Sequence, residues 1–411
     1  MRKLITNISL ALLVVLTGMQ PVLAQTSEQN PAASALTKAF VMADGAETPG
    51  LTFDFELIPV SVDGKAATAG NMPDIGTKSV TFSAADNGAV TDGVKTIYKE
   101  SENLFANVNW PHAGVYVYNI KETPSVKGTL GAGETITYSE AEYKVKVYVA
   151  NGANGLYLAA VGAELTVTDG GEGTEGSNKV DSQPGGDPSV TGDYSKMIFT
   201  NNYMKKNGSG DPMDYNLAIS KEVKSPDGDG HNFADKTMYF DFKVTATKSS
   251  ANYGNNVKYR VYVMEGDTVV TNSQNYAGTI LTDAQYGDYI VLDSGTEYTV
   301  HLKHGQWLSF VDLEIGATYT VTELGRENYT PSCAQTVNGT VTDHSAVANS
   351  DLVIAATTIT GGDNRADFTN TYMSITPVGV SVDNLPYVIL IALVVIGLGI
   401  YLVYKSRRRR R

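Results

Sequence analysis

The chain has 411 residues, which is too many for one small core and suits two or three domains. Its formal net charge is −13, and setting aside the eight basic residues at its two ends leaves 23 Lys and Arg against 44 Asp and Glu. This acidic exterior argues against nucleic acid and anionic membranes as partners. The single cysteine, Cys333, excludes an intramolecular disulfide, and the sequence suggests no cofactor or metal motif.

The N-terminal residues 1–24 are predicted to be a secretory signal peptide. Residues 1–3 carry positive charge, residues 10–16 form a short apolar run, and residues 22–24 place small side chains at the usual cleavage spacing. A membrane anchor is the less favoured alternative because the apolar run is short. The spacing therefore predicts an exported protein.

The region between the two ends is predicted to be all-β. It is rich in Val, Thr, Tyr and Gly in short alternating runs and lacks long helical periodicity, which favours tandem β-sandwiches. Similar runs occur twice, and they divide the region into a first module, residues 25–204, and a second module, residues 215–373. A turn-rich linker, residues 205–214, joins them. The Gly/Asp/Ser-rich residues 169–193 are predicted to form an exposed loop within the first module.

Each module places three polar residues on strand faces that are otherwise apolar. Alternate residues of a strand share a face. In the first module this alternation puts Lys38 of LTKAF, Glu122 of YVYNIKE and Asn201 of FTNNY among apolar neighbours. Asn202 falls on the opposite face and is rejected on the same ground.

The second module repeats the pattern in the same chain order. Its residues are Lys221 of LAISKEV, Glu323 of YTVTE and Asn370 of FTNTY. Lys224 is a rival to Lys221, but it shares a polar face with Glu222, so Lys221 is preferred.

The repeated combination predicts a chemical role. Taken singly, a half-buried Lys can extend its amine to water, a Glu can pair with it and an Asn can satisfy backbone groups. Together, a buried Lys loses its proton and becomes a nucleophile, while a buried Glu gains one and can donate it to the Asn carbonyl. The pattern thus predicts one amide bond per module between the Lys and Asn side chains, formed without a cofactor.

The C-terminal residues are predicted to address the chain to a membrane. After the polar residues 374–386, an apolar segment at 387–404 is long enough to span a bilayer. The basic residues 405–411 follow it, which predicts a cytoplasmic tail and an external remainder. The five arginines are a stop-transfer signal on this interpretation rather than a nucleic-acid site.

The ordered motifs resemble those of the shaft pilins of Gram-positive bacteria, the streptococcal type built from isopeptide-linked immunoglobulin-like modules. The resemblance covers most of residues 34–373 and rests on these motifs: LTKAF, LTFDFEL, YVYNIKE, YKVKVYV and FTNNY in the first module, and LAISKEV, MYFDFKV, YTVTE and FTNTY in the second. It implies two immunoglobulin-like β-sandwiches, with Glu122 assisting a Lys38–Asn201 bond and Glu323 assisting a Lys221–Asn370 bond.

The same resemblance implies attachment by sortase to other pilin subunits or to peptidoglycan on the surface of a Gram-positive cell. Pro377 and Gly379 resemble part of a divergent sorting signal, with cleavage expected just before Gly379, and Lys196 is a candidate for the lysine that receives a neighbouring subunit. One alternative is an anchored adhesin that binds host or cell-surface ligands without polymerising. A surface enzyme is the other, although only the self-directed Lys/Glu/Asn chemistry supports it.

Overall fold

The computed structural model describes residues 32–174, 178–185, 193–206, 208–226, 234–373 and 385–408. These residues form 25 strands and one helix. The all-β prediction with tandem sandwiches and an apolar C-terminal helix is therefore confirmed. The predicted signal peptide and the sorting-signal residues Pro377 and Gly379 lie outside the described residues.

The first module contains twelve strands in two facing sheets. The strands are β1 Thr37–Ala43, β2 Thr52–Val62, β3 Lys65–Ala66, β4 Thr77–Thr81, β5 Ala89–Thr91, β6 Val94–Glu100, β7 Gly114–Lys127, β8 Glu134–Thr137, β9 Glu142–Gly152, β10 Gly155–Val167, β11 Lys179–Val180 and β12 Ile198–Lys205. One sheet has the order β5-β6-β1-β12-β8, and the other has the order β11-β10-β9-β7-β2-β3, with β4 paired to β2.

The second module has thirteen strands, again in two sheets. The strands are β13 Leu217–Lys224, β14 Phe240–Thr247, β15 Lys258–Glu265, β16 Thr268–Val269, β17 Ile280–Asp283, β18 Gly287–Asp293, β19 Glu297–Leu302, β20 Gln306–Phe310, β21 Thr318–Glu323, β22 Tyr329–Val337, β23 Thr340–Ser345, β24 Leu352–Thr358 and β25 Asn364–Tyr372. The larger sheet has the order β17-β18-β15-β20-β13-β25-β22-β23, with β16 paired to β15, and the smaller has the order β19-β14-β21-β24.

In both modules the first strand lies beside the last strand and runs parallel to it. β1 pairs with β12, and β13 pairs with β25. The other neighbour of β1 is β6 and that of β13 is β20, so both first strands are internal. A pull on the two ends of a module would therefore shear its first strand against its last.

Each module has its own hydrophobic core between its sheets. The alternating runs of the sequence supply the inward side chains: Phe53, Phe55 and Leu57 of β2 are buried, as are Phe240, Phe242 and Val244 of β14. Fully burying one such side chain contributes about 1.5–3 kcal/mol. The alternation is therefore the local cause of the sandwich in both modules.

The two modules touch where β12 ends. The N–H of Ile315, which precedes β21, donates to the carbonyl oxygen of Lys205 at 2.9 Å. Ile315 and Ala251 of the second module pack into the core of the first. Gly316 has a φ of +86°, and a Cβ there would lie 2.6 Å from the Cβ of Ala43. This close approach requires a glycine at the junction.

The C-terminal helix α1, Leu385–Arg408, is the one helix of the described residues long and apolar enough to cross a membrane. The most apolar 18-residue stretch of its segment Tyr387–Arg408 has a mean hydropathy of 2.6 and is not buried against the rest of the chain. Lys405, Arg407 and Arg408 occupy its last turn.

Candidate functional site

A buried cluster of Lys38, Glu122 and Asn201 lies at the centre of the first module. Lys38 is opposite Phe199 in the β1–β12 register, and Asn201 is two residues further along the neighbouring strand. Lys38 and Asn201 are thus diagonal neighbours on one face. Glu122 reaches the same point from the facing sheet, where β7 pairs with β2. The fold therefore brings together three residues that are far apart in the sequence.

The contacts in this first cluster join all three side chains. The Lys38 Nζ lies 2.8 Å from Glu122 Oε2, and Asn201 Nδ2 donates to Glu122 Oε1 at 2.7 Å. The backbone N–H of Ser139 donates to Asn201 Oδ1 at 2.7 Å. Glu122 thus faces the amide nitrogen of Asn201, not its carbonyl oxygen as the sequence reasoning expected. The reason is that the carbonyl oxygen already accepts a backbone hydrogen bond.

The second module builds an equivalent cluster from Lys221, Glu323 and Asn370. Lys221 is opposite Phe368 in the β13–β25 register, so Asn370 again follows by two residues. The Lys221 Nζ lies 2.6 Å from Glu323 Oε1. Among the described residues, Glu323 Oε2 and Asn370 Oδ1 are buried without a hydrogen-bond partner. The second cluster thus repeats the Lys–Glu ion pair, but its Asn carbonyl oxygen accepts no hydrogen bond from a described residue.

Aromatic residues surround both amines. Lys38 Nζ lies 5.0 Å from the ring centre of Phe53, and Lys221 Nζ lies 4.1 Å from that of Phe240. Both rings belong to the FDF sequence of the strand that carries the core aromatics. They exclude water from the amine, which raises the free energy of its charged form.

Burial shifts the pKa values of each Lys–Glu pair toward each other. It lowers the pKa of Lys38 and of Lys221 to about 8, although the neighbouring carboxylate opposes the shift in each case. It also raises the pKa of Glu122 and of Glu323, against the opposing effects of the lysine and the Asn side chain. In each pair a proton can therefore move from the amine to the carboxylate at modest cost.

This geometry can support amide exchange between Lys and Asn side chains. A neutral Lys amine is a nucleophile, the Asn carboxamide carbon is its electrophile, and a protonated Glu beside the amide nitrogen can supply the proton with which ammonia leaves. The folded core keeps the groups adjacent, which replaces a bimolecular encounter.

The remaining predicted residues have different surroundings. Lys224 is exposed and pairs with Glu222 at 2.8 Å, outside the second cluster. Lys196 precedes β12 and is half-buried, with its amine 4.1 Å from the ring centre of Tyr194. It is thus less exposed than expected of a lysine that receives another subunit. Cys333 is buried, and burial raises the pKa of its thiol to about 12, so it is unreactive at neutral pH.

The sequence reasoning missed Ser139 and Asp169. Ser139 is buried between β8 and β9, and Asp169 is exposed at the start of the predicted exposed loop. Asp169 Oδ1 accepts hydrogen bonds from the Ser139 hydroxyl and, at 3.0 Å, from the N–H of Thr200. Neither residue belongs to an alternating apolar run, so the strand pattern gave no signal for them.

Comparison with known proteins supports the predicted resemblance. Residues 35–204 match the family model of the Spy0128-like isopeptide containing domain, which confirms the resemblance over the first module. Residues 215–372 match a domain of unknown function (DUF7601). No curated protein matches the chain.

Several solved structures are similar to the chain at low identity. The major pilin from Streptococcus pyogenes is 20% identical, covers 84% of this chain and 100% of its own, and has a TM-score of 0.32. The major pilin protein T3.2 from Streptococcus pyogenes is 17% identical, with 83% and 98% covered and a TM-score of 0.30. A pilus-presented adhesin (Cpa) is 18% identical, with 57% and 36% covered and a TM-score of 0.22.

Proposed function

Because residues 35–204 match the Spy0128-like isopeptide containing domain family, we propose that the chain is a structural subunit of a surface pilus, crosslinked within each module by a Lys–Asn isopeptide bond. The observation that supports this most is the duplicate buried cluster, with Lys on the first strand, Asn on the last strand and Glu on the facing sheet of each module. A single buried ion pair would have a structural explanation. Two such pairs, each beside the side-chain amide of an Asn, are better explained by one shared reaction, the formation of a Lys–Asn amide.

The reaction in each cluster forms one C–N bond and breaks another. A proton passes from the Lys amine to the Glu, and the neutral amine attacks the Asn Cγ. The tetrahedral intermediate collapses when the Glu, acting as general acid, protonates the amide nitrogen, which leaves as ammonia. The amine nitrogen loses its remaining extra proton to the Glu carboxylate. The net products are a secondary amide and one ammonia.

A bond at this position would carry mechanical load. Force entering β1 and leaving β12 would pass through the Lys38–Asn201 amide and bypass the intervening chain. Without the bond, roughly 160 residues could extend to about 550 Å at about 3.4 Å per residue. A crosslink closing so long a loop contributes about 5 kcal/mol to stability on the chain-entropy model. Resistance to mechanical load therefore explains a bond between the first and last strands better than the gain in thermodynamic stability does.

Surface attachment is the second part of the proposal. The chain would be exported, held by α1 with its basic end inside the cell, and transferred by sortase to another pilin subunit or to peptidoglycan. Pro377 and Gly379 would lie in the sortase signal. Lys196 would accept a neighbouring subunit only if its amine left the Tyr194 ring, which makes it a weaker candidate than the sequence implied.

Intact mass of the exported region, residues 25–373, tests the crosslinks. We expect it to be two ammonia molecules below the sequence mass. Glu122→Ala and Glu323→Ala should each restore one ammonia while the fold is kept, because each removes the proton carrier of one module. If well-folded wild-type protein has the full mass of its sequence, the proposal is contradicted. If both Glu→Ala variants keep the lowered mass, the bonds form without the glutamates, whose role is then structural.

Attachment is tested by extracting the protein from cells. We expect release only by wall-digesting enzymes, with a C-terminus upstream of Leu385. Recovery by detergent alone, with the helix still attached, would instead indicate a membrane-anchored protein that sortase does not process. A ladder of covalent multimers would separate a polymerising pilin from a monomeric adhesin.

A further inference from the structure

The carbonyl oxygen of Asn201 is held by a main-chain hydrogen bond. The N–H of Ser139 can only donate, so the Asn201 atom 2.7 Å away must be the oxygen, and the amide nitrogen must face Glu122. This arrangement aims a fixed donor at the atom that becomes negatively charged when an amine attacks the Asn201 carbon. Donors placed in this way stabilise tetrahedral intermediates.

A single carboxylate fixes that donor against the last strand. Asp169 accepts from the Ser139 hydroxyl and, at 3.0 Å, from the N–H of Thr200, the residue next to Asn201. The Ser139 hydroxyl oxygen also accepts from the N–H of Ala141 at 3.2 Å. Asp169 therefore ties the segment between β8 and β9 to β12 at the position of the reacting amide.

The described residues of the second module show no such donor at the Asn carbonyl. β22 continues as a regular strand along β25, with Pro331 opposite Asn370 and Ser332 opposite Thr369. Asn370 Oδ1 is buried without a hydrogen-bond partner in the part of the chain that is described. The two clusters are therefore alike in Lys, Glu and Asn but differ in what faces the Asn carbonyl.

We propose that the Ser139 N–H stabilises the charge on Asn201 Oδ1 during bond formation, that Asp169 is the residue that positions it, and that the first module consequently forms its bond faster than the second. This inference rests on the proposed isopeptide chemistry. In the first module Lys38 forms the new bond to Asn201 Cγ, the electron pair of the C=O bond moves to the oxygen beneath the Ser139 N–H, and Glu122 protonates the departing nitrogen. In the second module no hydrogen bond from a described residue reaches the corresponding oxygen, Asn370 Oδ1.

A purely electrostatic role of Asp169 predicts the opposite effect of its removal. The negative charge of Asp169 stabilises the Lys38 ammonium and so raises the pKa of Lys38, although burial and Glu122 act more strongly. Removing that charge would leave more neutral amine and speed the reaction. Removing a positioning residue would slow it, because the N–H would no longer be held at the oxygen.

The test measures both bonds in the same full-length chain. The chain is synthesised without cells in detergent micelles, pulse-labelled, and digested at intervals, and mass spectrometry gives the linked fraction of the Lys38–Asn201 and Lys221–Asn370 peptides. The variants are Asp169→Ala, Asp169→Asn and Ser139→Ala, with Glu140→Ala as the matched control, since Glu140 is an exposed carboxylate next to Ser139. The second bond is the internal reference.

We expect Asp169→Ala to slow the first bond by about tenfold, which is less than the roughly 100- to 1,000-fold cost of deleting such a donor, because the Ser139 N–H is loosened and not removed. Asp169→Asn should retain most of the rate because an amide can still accept from the Thr200 N–H and bond to the Ser139 hydroxyl. Ser139→Ala should fall between them, and Glu140→Ala should match wild type. In the wild-type chain the first bond should form before the second.

Other outcomes overturn the inference. An unchanged or faster first bond in Asp169→Ala would assign Asp169 an electrostatic role or none. Equal slowing of both bonds would indicate a general loss of folding rather than positioning. If both bonds form in wild type but the second is as fast as the first, the donor has no kinetic effect and the isopeptide proposal survives alone. If neither linked peptide appears in wild type, the proposed function fails as well.

Discussion

The two modules present the same three reacting side chains in two different settings. In the first, the carbonyl of Asn201 accepts a hydrogen bond from Ser139, whereas in the second the carbonyl of Asn370 lies buried without one among the described residues. The ion pairs are nearly equal, at 2.8 Å and 2.6 Å between Lys nitrogen and Glu oxygen. The minimum requirement is thus a desolvated Lys–Glu pair beside an amide. Among the described residues, the additional donor to the Asn carbonyl is seen in the first module alone.

The similarity of the lysines has a common cause. In both modules the amine lies between strand residues of an FDF sequence and the facing carboxylate, and burial lowers the pKa to about 8. A buried salt bridge contributes little to stability on average because its desolvation cost is large. The repetition of this Lys–Glu geometry in both modules is therefore better explained by bond formation with the Asn than by the stability that the ion pair adds.

The largest effect should come from removing one nucleophile at a time. We expect Lys38→Ala to destabilise the first module and Lys221→Ala the second, each by about 5 kcal/mol from the lost crosslink. Calorimetry and trypsin resistance of the exported region would measure this. Because the two Lys–Glu–Asn clusters lie in different modules and share no residue, the effects should add in the double variant.

Lys224→Ala is the matched control for Lys221→Ala, since Lys224 is exposed and three residues away. It should leave both transitions in place. Equal destabilisation of both modules by either single variant would mean that the junction at Ile315, rather than the internal bonds, dominates the stability of the exported region.

The pH dependence of bond formation should be smaller and alike in the two modules. The reactive pair, neutral Lys with protonated Glu, holds one proton, the same number as the ion pair, so its population is constant between the two pKa values. Below the raised pKa of the Glu the amine stays protonated. Above about pH 8 the pair loses the proton that ammonia needs. The rate should thus be flat between these limits and fall about tenfold per pH unit outside them.

Newly synthesised chain, sampled at fixed pH as its linked peptides appear, would give both profiles. If bond formation in the first module does not slow above pH 8 while that in the second does, the two modules do not share the loss of the pair's proton as their upper limit. That result would show that the Ser139 donor makes the protonated carboxyl dispensable.

The smallest effect concerns the junction between the modules. Gly316 and Gly305 have similar φ values, +86° and +81°, but a Cβ at 316 would meet Ala43 and Ser249, while one at 305 meets nothing within 4 Å. Gly305→Ala should cost roughly 1 kcal/mol from its backbone conformation alone. Gly316→Ala should cost about 1 kcal/mol more, because overpacking adds to the same backbone strain.

Calorimetric unfolding of the two variants would measure that difference. We expect Gly316→Ala alone to lower the first transition as well, since Ile315 beside it packs into the first core. Identical unfolding of the two variants would show that the modules do not stabilise each other through this contact and unfold as independent units.

Much of the fold could be predicted from the sequence because strand alternation is a local property. The apolar runs predicted an all-β chain, and the structure confirms it. They also predicted that Lys38, Glu122 and Asn201, and their counterparts in the second module, would point inward. The structure places each set together, while the bonds between them remain a prediction.

What the sequence by itself determined is which side chains are buried, since a strand of alternating residues has only two faces. Only the tertiary structure decided what those side chains meet. The Ser139 donor is 62 residues from Asn201, and Asp169 is 30 residues from Ser139. Pro331 faces Asn370 through a strand register that no local pattern encodes. Such contacts depend on how distant segments pair, and the energy that selects the pairing is spread over the whole core.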